Sequence, residues 1–138
     1  DTPITYEVTY IYSNGVKLIC SSEGNSCVFH GTDGKISVNR GYLSSDPAAI
    51  IQEPIHDSEV HLYKSDSHYQ DFLSCVRSRK RPICDVEVGF RSVSVCHLGN
   101  ISVRLGRPIR WDPVREQILD DEEANRWLSR PMRAPWHL

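Results

Sequence analysis

No apolar run in this sequence approaches the roughly 20 residues needed to cross a bilayer. The amino terminus has neither the basic segment nor the short apolar core of a signal peptide. Charge of one sign is also scarce: the formal net charge is -2, with 16 Lys and Arg against 18 Asp and Glu, so no polyanion partner is expected. The five cysteines, Cys20, Cys27, Cys75, Cys84 and Cys96, form no CxxC pair and no Cys/His ligand spacing. Their odd count is a poor basis for a closed disulfide framework, and they read as reduced thiols of a cytoplasmic domain. His56, His61 and His68 share one stretch without the short spacings of a zinc site, so no metal is expected. An initiator Met is missing as well: the chain passes from Asp1 straight into a strand pattern, which reads as a cut, with any targeting signal on the upstream side.

What is present is an ordinary globular composition. With 138 residues, 39% hydrophobic and 25% charged, the chain can bury a core as one domain without disulfide or metal staples.

The first forty residues alternate as strands. Thr5 to Tyr12 sets Tyr6, Val8, Tyr10 and Tyr12 on one face and Thr5, Glu7, Thr9 and Ile11 on the other. Asn14-Gly15 supplies a hairpin turn before a second strand, Val16 to Ser21; Glu23-Gly24-Asn25 leads to a third, Cys27 to His30. Asp33-Gly34 then leads to a fourth, Lys35 to Asn39, and the whole reads as an antiparallel meander. Asp46-Pro47 suits a short helix start, and Glu59 to Lys64 adds a further strand.

Ser67 to Arg77 is a helix, with Ser67 and Gln70 in capping-box spacing and Tyr69, Phe72, Leu73 and Val76 as its apolar stripe. The basic cluster Arg77 to Arg81 is what a helix carboxyl end favours, so it is not taken as a nucleic-acid patch. Asp85 to Leu105 fits a strand or a helix by periodicity, but its length decides for helix. Its stripe is Phe90, Val93, His97, Leu98, Ile101 and Leu105, with Gly106 as terminator and His97 expected in the core. A short strand, Ile109 to Trp111, and a short acidic-capped helix, Asp120 to Leu128, precede a tail broken by Pro131 and Pro135. Strands followed by helices predict an α+β fold, a mostly antiparallel open sheet with helices packed on one face.

Several segments, in order, resemble those of Gfo/Idh/MocA oxidoreductases. The run from Asp71 to Pro82 followed by Asp85-Val86-Glu87-Val88-Gly89 resembles a signature of that family. So do Asn14 to Leu18, Gly31 to Gly34, Cys96 to Ile101, Arg110-Trp111-Asp112-Pro113, Glu123-Ala124-Asn125 and Arg133-Ala134-Pro135-Trp136. The resemblance implies that residues 1 to 138 are a single C-terminal substrate and oligomerisation domain, dihydrodipicolinate-reductase-like in fold. The full-length protein would use NAD or NADP to transfer hydride to or from a sugar, cyclitol or related polyol. This chain has no G-x-G-x-x-G strand-turn-helix unit, no counterpart of the family's Glu-Lys-Pro segment and no early Asp and His pair, so the Rossmann domain is absent from it and no cofactor or catalytic residue is assigned. One departure stands out: the family pattern places a His after Val88-Gly89, and this chain has Phe90.

For the substrate wall, His68, Arg40, Tyr42 and Arg91 are the candidates, because imidazole, phenol and guanidinium groups at element ends can hydrogen-bond polyol hydroxyls. The row Tyr6, Tyr10, Tyr12 could stack on a sugar but suits cross-strand packing better. The face of the sheet that no helix covers predicts a homodimer or higher oligomer. The competing possibility is a stand-alone, non-catalytic binding or oligomerisation module. A nucleic-acid binder, which would show steep salt dependence, has only the Arg77 to Arg81 cluster behind it.

Overall fold

The structure, a computed structural model, describes residues 3–136; the start at Asp1 lies outside them. The fold is α+β, with strands that pair only antiparallel. The chain divides into two compact units, residues 1–22 with 84–138 and residues 23–83.

In the first unit, β1 (Glu7–Ile11) pairs with β2 (Lys17–Ser21), Thr9 opposite Ile19 and Tyr10 opposite Leu18. Tyr12 and Val16 fall outside these strands because the turn takes more chain than a two-residue hairpin, and Thr5 and Tyr6 precede β1. Tyr12 accepts a hydrogen bond from the Gly15 N–H, its own N–H donates to Val16, and Asn14 Oδ1 accepts from the Val16 N–H. Gly15 supplies the positive φ, in the manner of a three-residue loop with a bulge.

α2 (Val86–Leu105) is the centre of this unit. Asp85 caps its start, its side chain accepting from the Val88 N–H, and Gly106 ends it in the left-handed conformation. Two faces about 200° apart are covered, since residues 99 and 101 differ by two helical steps of about 100°. On one, Gly99 lies under β1: a Cβ there would stand 2.2 Å from the Tyr10 hydroxyl and 3.7 Å from Val8. The Tyr10 hydroxyl donates to the Val95 carbonyl at 2.9 Å. On the other, Ile101 joins Ile118 and Ala124 in a buried cluster flanked by Leu98, Leu105, Ile109 and Trp111.

That cluster is closed by β6 (Trp111–Asp112), which pairs with β7 (Gln117–Ile118), and by α3 (Glu122–Asn125). The Asn125 amide binds both backbone groups of Ile118, accepting from its N–H at 2.8 Å and donating to its carbonyl. Asp121 caps α3 and receives a forked bond from Arg107. The expected helix from 120 to 128 is therefore one short α-turn, followed by a 3-10 turn, Arg126–Leu128.

In the second unit, β3 (Cys27–His30), β4 (Lys35–Asn39) and β5 (Tyr42–Asp46) form a three-stranded sheet in chain order. The expected meander thus falls into separate sheets, because β2 and β3 do not pair. Gly34 has no room for a side chain: a Cβ there would stand 2.2 Å from the Asp46 carbonyl oxygen. Asp46 ends β5 instead of capping a helix, and Pro47 precedes a 3-10 turn, Ala48–Ile51.

The strand expected at Glu59 to Lys64 does not form. Glu59 is held in a local turn, its N–H donating to the His56 carbonyl and its carboxylate accepting from the His56 N–H at 2.6 Å. The His61 ring also meets the His56 carbonyl. Local bonds of this kind compete with a ladder.

α1 (His68–Ser78) starts on Ser67, whose hydroxyl accepts from the Gln70 N–H, and ends on Arg79 in the left-handed conformation. Its buried residues are Asp71 and Cys75, whereas the stripe Tyr69, Phe72, Leu73 and Val76 is exposed. The chain exposes 12421 Å². Two compact globules of half its mass would together expose only about 9,000 Å².

Candidate functional site

The α2 stripe has two different halves. Toward its carboxyl end, Leu98, Ile101 and Leu105 pack into the buried cluster; toward its amino end, Phe90, Val93 and His97 remain exposed. These exposed residues form one wall of an open cleft of about 930 Å³. Ser94, Leu98, Asn100, Ile101 and Arg104 extend this wall along α2, and Trp111, Glu116 and the segment 126–130 complete the lining. From Phe90 to Arg104 the helical wall runs for about 21 Å.

His97 is therefore not a core histidine: it is exposed and lines the cleft. Phe90 lines it as well, so where the resemblance implies a His this surface carries an apolar ring. The Arg104 guanidinium stands over the Trp127 ring, 5.6 Å from its centroid, which fixes an aromatic plane at one end.

Of the four residues proposed from sequence, only Arg91 belongs to this unit. It bonds Glu87 at 2.7 Å and the Pro113 carbonyl at 2.9 Å, and reaches Glu116, a cleft residue, at 3.8 Å. Those bonds make Arg91 a brace for the Glu116 side of the cleft. Arg40 and Tyr42 flank Gly41 in the β4–β5 turn of the other unit, and His68 is the first residue of α1, with its ring tilted against Tyr69. All three are exposed; Arg40 and Tyr42 share a turn, while His68 stands on a different element.

A second polar network lies on α1. Asp71 accepts from the Tyr63 hydroxyl, from the Ile83 N–H at 2.9 Å and, over 3.9 Å, from the Cys75 thiol. The Tyr63 hydrogen bond, followed by that of Ile83, holds the Asp71 carboxyl below its usual range. The same bond pushes the Tyr63 phenol up to about 12. Burial pushes the Cys75 thiol up. A low carboxylate, a high phenol and a protonated thiol make an inert clamp rather than an acid-base pair, tying residues 63 and 83 to one helix.

Neither long helix offers a fit for a dinucleotide pyrophosphate. Ser67 and Asp85 occupy the two helix starts, and Asp71 and Glu87 add negative charge to the first turns, the opposite of what an anion needs there. Among the described residues no group of three His, Cys, Asp or Glu is gathered to hold a metal, and no helix is long and apolar enough to cross a membrane.

Sequence reasoning missed the cleft because a third of its lining comes from the segment 126–130, which lies far from α2 in sequence. Trp127 beside Arg126 and Arg130 was the one available cue. Comparison with curated proteins and with solved structures gives no match. Among protein families, residues 3–138 match the one described as "Oxidoreductase family, C-terminal alpha/beta domain" of the Gfo/Idh/MocA type. With that match spanning nearly the whole chain and an α+β fold beneath it, the protein belongs to the Gfo/Idh/MocA oxidoreductase family as its C-terminal domain.

Proposed function

We propose that this chain is the substrate-side and oligomerisation domain of an NAD(P)-dependent oxidoreductase acting on a sugar, cyclitol or related polyol. The family match over residues 3–138 carries this reading. The cleft beside α2 supplies the substrate wall: its aromatic rings suit the faces of a sugar, and Asn100 and His97 offer hydrogen bonds to hydroxyls. A separate nicotinamide-binding domain supplies the hydride chemistry, because the helix starts here repel a pyrophosphate.

The second role belongs to the β1–β2 hairpin. Its Val8 and Tyr10 side meets α2, and its other side presents Thr9, Ile11 and Ile19 to solvent. A second copy covers this apolar face in a symmetric dimer or higher oligomer.

Intact-mass spectrometry of the polypeptide captured from its native cells tests the assignment. The expected species is much heavier than 15.8 kDa and carries a nucleotide-binding segment. A native product of 15.8 kDa would favour a stand-alone binding module instead.

A further inference from the structure

The charges around the α2 cleft are one-sided. Arg104, Arg126 and Arg130 line it, against the single carboxylate of Glu116. Glu116 is already engaged by Arg91 at 3.8 Å. Among the described residues, Arg126 and Arg130 make no ion pair. This local excess runs against a chain whose formal charge is -2, so composition alone does not produce it.

Guanidinium groups differ from ammonium groups in what they select. Their planar forks match carboxylate or phosphate oxygens in pairs. Here they border the Trp127 ring, beneath Arg104, in a cleft of about 930 Å³, within the size range of small-molecule sites. A flat apolar surface beside unpaired guanidiniums suits a ligand with a ring and an acid group. A neutral polyol would leave Arg126 and Arg130 without a counter-charge.

We infer that the α2 cleft takes a carboxylate-bearing sugar, its ring on Trp127 and its acid group between Arg126 and Arg130. The inference rests on the reading of this cleft as a substrate wall.

Tryptophan fluorescence of the whole chain, titrated separately with glucuronate, glucose and inorganic phosphate, tests it. Glucuronate is expected to bind at least about tenfold more tightly than glucose, the size of one charge-assisted hydrogen bond. The Arg126→Gln, Arg130→Gln double variant is expected to bring glucuronate down to the level of glucose. An Arg77→Gln, Arg79→Gln control at the end of α1 is expected to leave it unchanged, with far-ultraviolet circular dichroism verifying the fold of each protein. Equal binding of glucose and glucuronate would overturn the anion inference while leaving the cleft a polyol wall. Phosphate binding as tightly as glucuronate would overturn the role of the ring. No response to any of the three would overturn both the inference and the reading beneath it.

Discussion

Asp71 illustrates how a residue in a recognisable run can have a role its sequence context hides. The stripe Tyr69, Phe72, Leu73 and Val76 suggests that α1 buries its apolar side, yet the buried positions are Asp71 and Cys75. The partners of Asp71, Tyr63 and Ile83, lie 8 and 12 residues away, beyond any helical periodicity. Because its folded pKa lies below the unfolded value of about 3.9, its contribution is present above that pH and is lost as pH falls through the folded value. Asp71→Asn is therefore expected to flatten the acid limb of the stability curve in urea titrations. It is also expected to bring the Tyr63 phenol down from about 12 toward the ordinary tyrosine value near 10 in an ultraviolet titration. An unchanged acid limb and an unchanged phenol would contradict the clamp.

Gly99 is the second residue whose necessity comes from packing. Gly99→Ala places a methyl group against the Tyr10 hydroxyl and is expected to cost about 1–3 kcal/mol in chemical denaturation, the usual range for overpacking. Tyr10→Phe removes the clashing oxygen along with its bond to Val95. The two substitutions together are thus expected to cost less than the sum of the singles, the non-additivity expected of residues in contact.

At the scale of elements, what was legible is what local chemistry dictates. β3 and β4 form within the expected boundaries, and α1 and α2 begin on Ser67 and Asp85 and end beside Gly106 or a left-handed Arg79. Each of these signals acts within a few residues of itself. β5 was not legible because Tyr42–Asp46 reads Tyr-Leu-Ser-Ser-Asp, with Leu43 as the only aliphatic residue and its order supplied by pairing with β4. β7 is two residues long and is held by the Asn125 amide, a tertiary contact. The strand expected at Glu59 to Lys64 lacks a partner, and the Glu59 turn removes the local groups that one would use. Asn125→Ala leaves the Ile118 backbone pair without its partner and is expected to destabilise the chain by about 1–3 kcal/mol. Hydrogen exchange at the Ile118 amide is expected to quicken; protection equal to that of the parent would remove Asn125 from this role.

At the scale of the whole molecule, the oligomer proposed above would cover part of the exposed area. A solvent face bearing Ile11 and Ile19 is an expensive feature for a monomer and an ordinary one for a subunit. Ile19→Lys is expected to shift sedimentation equilibrium from a dimer or larger species to the monomer, with circular dichroism unchanged, since Ile19 is 62% exposed and contributes little to the fold. A parent chain that sediments as a monomer over a wide concentration range would contradict the interface. The class of fold was legible from strands preceding helices, and the family from motifs spread along the chain. The cleft was not, because it joins residues from α2 to the segment 126–130 and exists only once both are folded.

The most direct test of the central claim is a steady-state assay of the native full-length protein with a panel of polyols and sugar acids, following nicotinamide reduction, beside a Trp127→Ala variant. The account predicts substrate-dependent reduction and a raised KM in the variant, with a smaller change in kcat, because Trp127 acts in binding. No reduction with any substrate, or an unchanged KM, would contradict it.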